Sequence, residues 1–148
     1  MIQVRYSDYD FRLKEEEGKK FIFDELRKLW LRLTPEEWVR QNFIQYLVRE
    51  KNYPSTLIAA EKKIVLGELV KRFDILVYDP QHQPWMMIEC KSMQVPLTSA
   101  VLDQVLRYHI AVPVPYLVIT NGNECMGYEK GNGRLVPLSE LPEWKVRG

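Results

Sequence analysis

From Thr34 onward the chain shifts between two hydrophobic periods. Over residues 35–51 the apolar positions Val39, Phe43, Tyr46 and Leu47 recur at helical spacing. Thr34 is placed to cap this segment, Pro35 suits the first helical position, and Glu37 completes a capping box. One helix is therefore predicted over residues 35–51, stopped by Asn52 to Pro54. Residues 57–66 alternate weakly, Gly67-Glu68 can turn the chain, and residues 69–78 and 85–91 are β-rich runs separated by a loop over 79–84. These predict an antiparallel meander. A second helix is expected over residues 98–110, carrying Val101, Leu102, Val105 and Leu106 and ending before Pro113. An apolar strand over 116–120, closed by Asn121-Gly122, and a short strand over 125–128 follow. Upstream, residues 11–13 and 20–23 fit a hairpin around 15–18. The first ten residues and the tail after Pro137, with Pro142 and Lys145 to Arg147, are expected to be loose, and neither reads as a linker. The tryptophans are expected in core or edge packing.

Charges interrupt two of these strands. Asp74 lies inside R-F-D-I-L-V-Y-D, and Met86 to Lys91 reads M-M-I-E-C-K. Because strand side chains alternate, Glu89 and Lys91 point one way and Cys90 points into the opposite, buried face. Charge in a half-buried sheet is costly unless it is paired or binds a metal, so Asp74, Glu89 and Lys91 together suggest a divalent-cation site with a lysine beside it. The ordinary alternative is a pair of strand-end acids bridged to Arg72 and Lys91, with Lys91 snorkelling to solvent.

The order Asp74, then Glu89-Cys90-Lys91, resembles the D...E-x-K pattern of the PD-(D/E)XK nucleases, with Phe73 at the proline position. More of the chain resembles the nuclease domain at the front of type I restriction enzyme motor subunits. The matching segments are L-T-P-E-E-W-V-R-Q from Leu33, K-R-F-D-I from Lys71, I-E-C-K-S from Ile88, Q-V-L-R-Y from Gln104 and Y-L-V-I-T-N-G from Tyr116. The resemblance spans residues 11–140. It implies an α/β class with a restriction-endonuclease-like core: a mixed central sheet with an antiparallel meander, flanked by helices. It also implies Mg²⁺ or Mn²⁺ held by Asp74, Glu89 and the backbone carbonyl of Cys90, with Lys91 orienting water or stabilising charge at phosphorus. Glu37 matches the helix acid of such enzymes, although a capping role explains it equally. Gln104 and Tyr108, four apart on one helical face, match their Q-x-x-x-Y element, against the alternative of a polar helix flank. His109 is read as helix surface and His82 as loop.

Composition narrows the picture. At 148 residues and 46% hydrophobic, the chain fits one domain over 1–148 with a core near 11–140. A net charge of +1 and a pI near 7.7 exclude a broad basic field, so nucleic-acid contact would fall to local clusters such as Lys62, Lys63, Lys71, Arg72 and Arg107. Cys90 and Cys125 fit neither a disulfide framework nor zinc spacing, and no signal peptide or long apolar span begins the chain, which reads as cytoplasmic. With no G-x-x-x-x-G-K-[ST] loop, any cleavage is expected to run without ATP. These observations suggest a Mg²⁺-dependent DNA endonuclease of a restriction or repair system. The alternatives are a catalytically silent DNA- or protein-binding module, or a subunit whose DNA targeting lies in another chain. The expected partner is DNA, with a weak homodimer or a recruiting protein supplying the affinity that the charge cannot, and no membrane is involved.

Overall fold

Alternation of side chains organises the first part of the chain. In the computed structural model, which describes residues 1–144, β1 (Leu13–Glu16), β2 (Lys19–Asp24) and β3 (Leu29–Arg32) form an antiparallel sheet of their own. The turn between β1 and β2 places Glu17 and Gly18 at φ 52° and 75°, the left-handed region that Gly18 enters freely. Along β2, Ile22 and Asp24 are buried while Phe21 and Phe23 are half-buried on the opposite face. The expected hairpin is thus present, with its first strand over 13–16 in place of 11–13 and its turn at Glu17-Gly18. β3 is an addition, since Leu29 to Arg32 is too short to show a period.

The predicted first helix forms as α1 (Pro35–Arg49), with the Thr34 side chain accepting the Glu37 N–H at 3.0 Å. Beyond it, Asn52 takes φ 58° and Pro54 prevents return to helix. A single 3-10 turn (Ser55–Leu57) leads into the large sheet, built from β4 (Ile58–Leu66), β5 (Leu69–Tyr78), β6 (Pro84–Cys90), β7 (Tyr116–Thr120), β8 (Cys125–Gly131) and β9 (Arg134–Pro137), hydrogen-bonded in that order. All neighbours are antiparallel except β6 and β7, which run parallel because α2 (Ser99–His109) crosses between them. The class is α/β, with the mixed sheet and antiparallel meander of a restriction-endonuclease-like core. β8 runs further than expected, and β9 lies just before the tail, in residues for which no element was expected.

The sheet separates two apolar layers. Val39, Phe43, Ile44 and Leu47 of α1 pack with Ile75, Val77, Met86, Ile88, Cys90 and Val118. Val105 of α2 packs on the other side with Phe73, Leu76, Met87, Leu117 and Ile119. Strand alternation explains the division, with one exception. Phe73 and Ile75, two residues apart, belong to opposite layers, so β5 changes face at Asp74. The register with β4 does not shift there, with Ala60 facing Ile75 and Lys62 facing Phe73; β4 changes face with it at Glu61, which has φ 51°, so that Ala60 joins the first layer and Ile64 the second.

The first ten residues, expected to be loose, are partly anchored. Ile2 is buried, its N–H donates to the Cys125 carbonyl at 2.8 Å, and the Tyr6 ring meets Tyr46 edge-on. In the tail, Leu141 is buried and the Trp144 indole N–H donates to the Tyr78 carbonyl at 3.0 Å, while Lys145 to Arg147 lie outside the described residues. Trp85 and Trp144 pack at the core margin, and Trp38 is exposed. Both cysteines are free and buried. No helix among the described residues is long and apolar enough to cross a membrane.

Candidate functional site

The break in β5 sets up the site. The register between β5 and β6 runs from Val77↔Met86 to Ile75↔Ile88, and one step further sets Asp74 opposite Glu89. The Cys90 N–H donates to Asp74 Oδ2 at 2.8 Å, tying the two strand ends together. Asp74 also reaches α1, since Arg40 donates to its Oδ1 at 2.9 Å. Glu89 instead reaches α2, with Oε2 3.5 Å from His109 Nε2, and its Oε1 lies 3.7 Å from the Lys91 amine. The Lys91 N–H in turn donates to the Thr120 carbonyl at 2.8 Å, fixing the chain just past β6 against β7. Asn121 and Gly122 finish this corner. Gly122 has φ 92°, and a Cβ there would come within 3.2 Å of Met93 and 3.3 Å of Val39, so the turn after β7 needs glycine.

Asp74 carries the electrostatic signature of the site. Burial raises its carboxyl, and the Glu89 charge raises it further; the Cys90 N–H and Arg40 oppose them, leaving a pKa of about 6. A buried acid with so close an acidic neighbour is short of positive charge. Arg40 supplies part of it. This side chain is 6% exposed and bridges Glu37 at 2.5 Å, Glu61 at 3.1 Å and Asp74 at 2.9 Å. Burial works against its charge, but Glu37 and Asp74 outweigh burial and hold the guanidinium above its ordinary pKa. The left-handed backbone at Glu61, costing on the order of 1 kcal/mol for a residue other than glycine, accompanies a carboxylate that meets Arg40 and, at 3.4 Å, Arg27.

Glu37 corrects the capping-box expectation. The Thr34 half of the box is formed, but the Glu37 carboxylate binds Arg40 and, at 3.0 Å, the Gln41 amide, and no bond from it to the Thr34 N–H occurs among the described residues. Gln41 also donates to Asp24 Oδ2 at 3.1 Å, which joins the small sheet to this network. Gln104 and Tyr108 are both exposed on α2; Tyr108 is capped by the Lys71 amine 3.7 Å from its ring centre. No hydrogen bond joins either side chain to Lys91 among the described residues. His109, expected at the helix surface, is 1% exposed, stacked near Phe73 with ring centres 5.1 Å apart. It falls four residues after Val105, on the buried stripe, so position prevailed over polarity. His82 is an exposed loop residue as expected.

Of the alternative pairing expected for the strand acids, the Lys91 half forms, at 3.7 Å from Glu89, while Arg72 meets Glu61 at 3.5 Å and neither strand acid among the described residues. Sequence reasoning missed Arg40 and His109. Arg40 stands inside L-T-P-E-E-W-V-R-Q, three residues after Glu37, a spacing that brings acid and base together on a helix. Among the described residues no three His, Cys, Asp or Glu side chains gather as a metal cluster. The donor set still suits a hard cation in kind, because two carboxylates stand at adjacent strand ends and one is raised by the other, a strain that a divalent ion relieves. Beside them lies an open cleft of about 410 Å³ lined by Arg32, Glu36, Glu37, Arg40 and Glu61. A separate cavity of about 550 Å³, lined by Asp79, Trp85 and Tyr116, sits at the other end of β5 and β6 and touches none of these acids.

Comparison with known proteins gives one family. The model of the type I restriction enzyme R protein N terminus matches residues 35–142, which takes in α1, the large sheet and α2 but leaves β1 to β3 outside the match. No curated protein matches the chain.

Proposed function

The chain belongs to the family of type I restriction enzyme R protein N termini, and from that premise we propose that it is a metal-dependent DNA endonuclease hydrolysing phosphodiester bonds within a restriction or repair system. The observation that carries the reading is the meeting of two acids and an amine at adjoining strand ends, where the Cys90 N–H holds Asp74 Oδ2 at 2.8 Å and the Lys91 amine lies 3.7 Å from Glu89. Asp74, Glu89 and the Cys90 carbonyl would hold Mg²⁺ or Mn²⁺. When bound, the ion supplies Lewis-acid polarisation of the phosphate and acidifies water. Lys91 orients the attacking water or balances negative charge developing at phosphorus. Glu37 acts through Arg40, which shares its guanidinium between Glu37 and Asp74 and so positions the Asp74 carboxylate. Gln104 and Tyr108, on the exposed face of α2, contact the nucleic-acid backbone. The reaction draws on no ATP. DNA reaches the site with a second copy or a partner protein adding affinity, because a net charge of +1 supports few phosphate contacts.

One observation favours a second reading, in which the domain holds DNA without cutting it: Arg40 already occupies Asp74 Oδ1 and offsets its charge without a metal. Plasmid nicking in Mg²⁺ and in Mn²⁺, beside titration calorimetry of Mn²⁺, separates the two. Hydrolysis predicts nicking by the wild type, loss of nicking in Lys91→Ala with Mn²⁺ binding retained, and loss of both in Asp74→Asn. A wild type that neither nicks nor takes up Mn²⁺ leaves only the binding module.

A further inference from the structure

We propose that the outward face of the small sheet binds an unpaired DNA strand, with Phe21, Phe23 and Trp30 stacking on bases and Arg12, Lys14 and Arg32 contacting phosphates. Strand alternation defines this face. Ile22 and Asp24 are buried, and Asp24 is tied to Gln41 of α1, so Phe21 and Phe23 turn away from the helix. The register pairs Phe21 with Lys14 and Arg32, and Phe23 with Trp30, which sets all of them on the same side. The solvent face of a small antiparallel sheet is ordinarily polar, and three aromatic rings there have a reason other than the core.

The cations are already arranged over the rings. The Arg12 guanidinium lies 4.5 Å from the Phe23 ring centre and 5.4 Å from that of Trp30, and the Lys14 amine lies 4.5 Å from the Trp30 ring centre. Phe23 and Trp30 meet edge-on with centres 5.2 Å apart. Among the described strand residues of this face the one acid is Glu16, paired with Lys14 at 3.1 Å. Interleaved rings and cations suit a strand whose bases are free to stack, whereas a duplex hides base faces and would use the cations alone. The face is continuous with the acid site, because Arg32 at its edge lines the cleft that also holds Glu37, Arg40 and Glu61. A strand lying across the rings would be led toward Asp74. Binding here needs no metal and no cleavage, so it stands apart from the hydrolytic reading.

The test is fluorescence anisotropy of the full chain with a labelled oligothymidylate and with a labelled duplex of equal length, in EDTA so that cutting is silent. Binding of the single strand should be at least about ten-fold tighter than duplex binding, with quenching of tryptophan emission. Trp30→Ala should lose about ten-fold on the single strand and change duplex binding little, and Trp30→Phe should recover most of that loss. The Arg12→Ser, Lys14→Ser pair should weaken binding and lower the slope of log affinity against log salt by about two. Should Trp30→Ala fail to fold, the Arg12, Lys14 pair decides. Equal affinity for both probes, or folded variants that bind like the wild type, would overturn the proposal whatever the nicking assay shows.

Discussion

Two aspartates, one in each sheet, show how the same side chain is used for opposite ends. Asp24, fully buried in β2, accepts from the Leu26 N–H at 2.8 Å, the Arg27 N–H at 3.0 Å, Arg27 Nε at 2.7 Å and Gln41 at 3.1 Å. Burial raises its carboxyl, but these donors, Arg27 foremost, outweigh it and hold the group below the usual carboxylate range. Asp74, less deeply buried, has fewer donors and an acid for a neighbour, and is pushed up to about 6. Depth of burial therefore does not set the sign. The balance of donors against like charge does, and a satisfied acid is structural where an under-compensated one marks a candidate functional group.

The comparison breaks most visibly in Asp24→Ala. Four donors would lose their acceptor and Arg27 its counter-charge, so the chain should lose about 3–5 kcal/mol, read as a fall in the midpoint of urea unfolding. If the loss is under about 1 kcal/mol, the network around Asp24 is not what anchors the small sheet. Next in size is the pH dependence that Asp74 imposes. Its folded pKa lies above its unfolded value of 3.8, so protonation favours the fold; this contribution is fully present below about pH 4 and is lost as pH rises through about 6. The difference in unfolding free energy between Asp74→Asn and wild type should be flat below pH 4, change in favour of the variant by up to about 3 kcal/mol from pH 4 to 6, and level off above. Asp24 has the reverse sign, since its depressed folded pKa means stability lost as pH falls below its unfolded 3.8.

At neutral pH Asp74→Asn should thus unfold no more easily than the wild type while losing Mn²⁺ uptake, the clearest contrast with Asp24. A variant destabilised as severely as Asp24→Ala would put the two aspartates in one class. The smallest effect belongs to Lys71→Ala, which removes the cation over the exposed Tyr108 ring and should cost only about 0.5 kcal/mol by the same measurement.

What was legible in the sequence follows from how local each signal is. Thr34, Pro35 and the stripe Val39, Phe43 and Leu47 announced α1 within one residue at its start, because capping and periodicity are properties of neighbours. Asp74 and Glu89 stood out as charges inside apolar runs. What those charges would meet did not, since Arg40 is 34 residues from Asp74 and no local pattern says that α1 will lie over the end of β5. The Glu37 carboxylate stays divided between a cap and a site role in the sequence for the same reason: its neighbour Thr34 is visible there, and its partner in space is not. β3 and β9, four residues each, are strands only because β2 and β8 offer them open edges, a property of the assembled sheet.

The buried thiols make the fold its own reporter. Cys90 closes β6, a central strand of the large sheet, with its thiol pushed well up by burial and then by Asp74, and Cys125 is raised to about 12 at the start of β8. A thiol reagent attacks the thiolate, so neither can react until its strand separates from its neighbours. Labelling of Cys90 then clocks opening of the whole β5–β6–β7 centre, while labelling of Cys125 clocks release of the Ile2 strap that donates to its carbonyl.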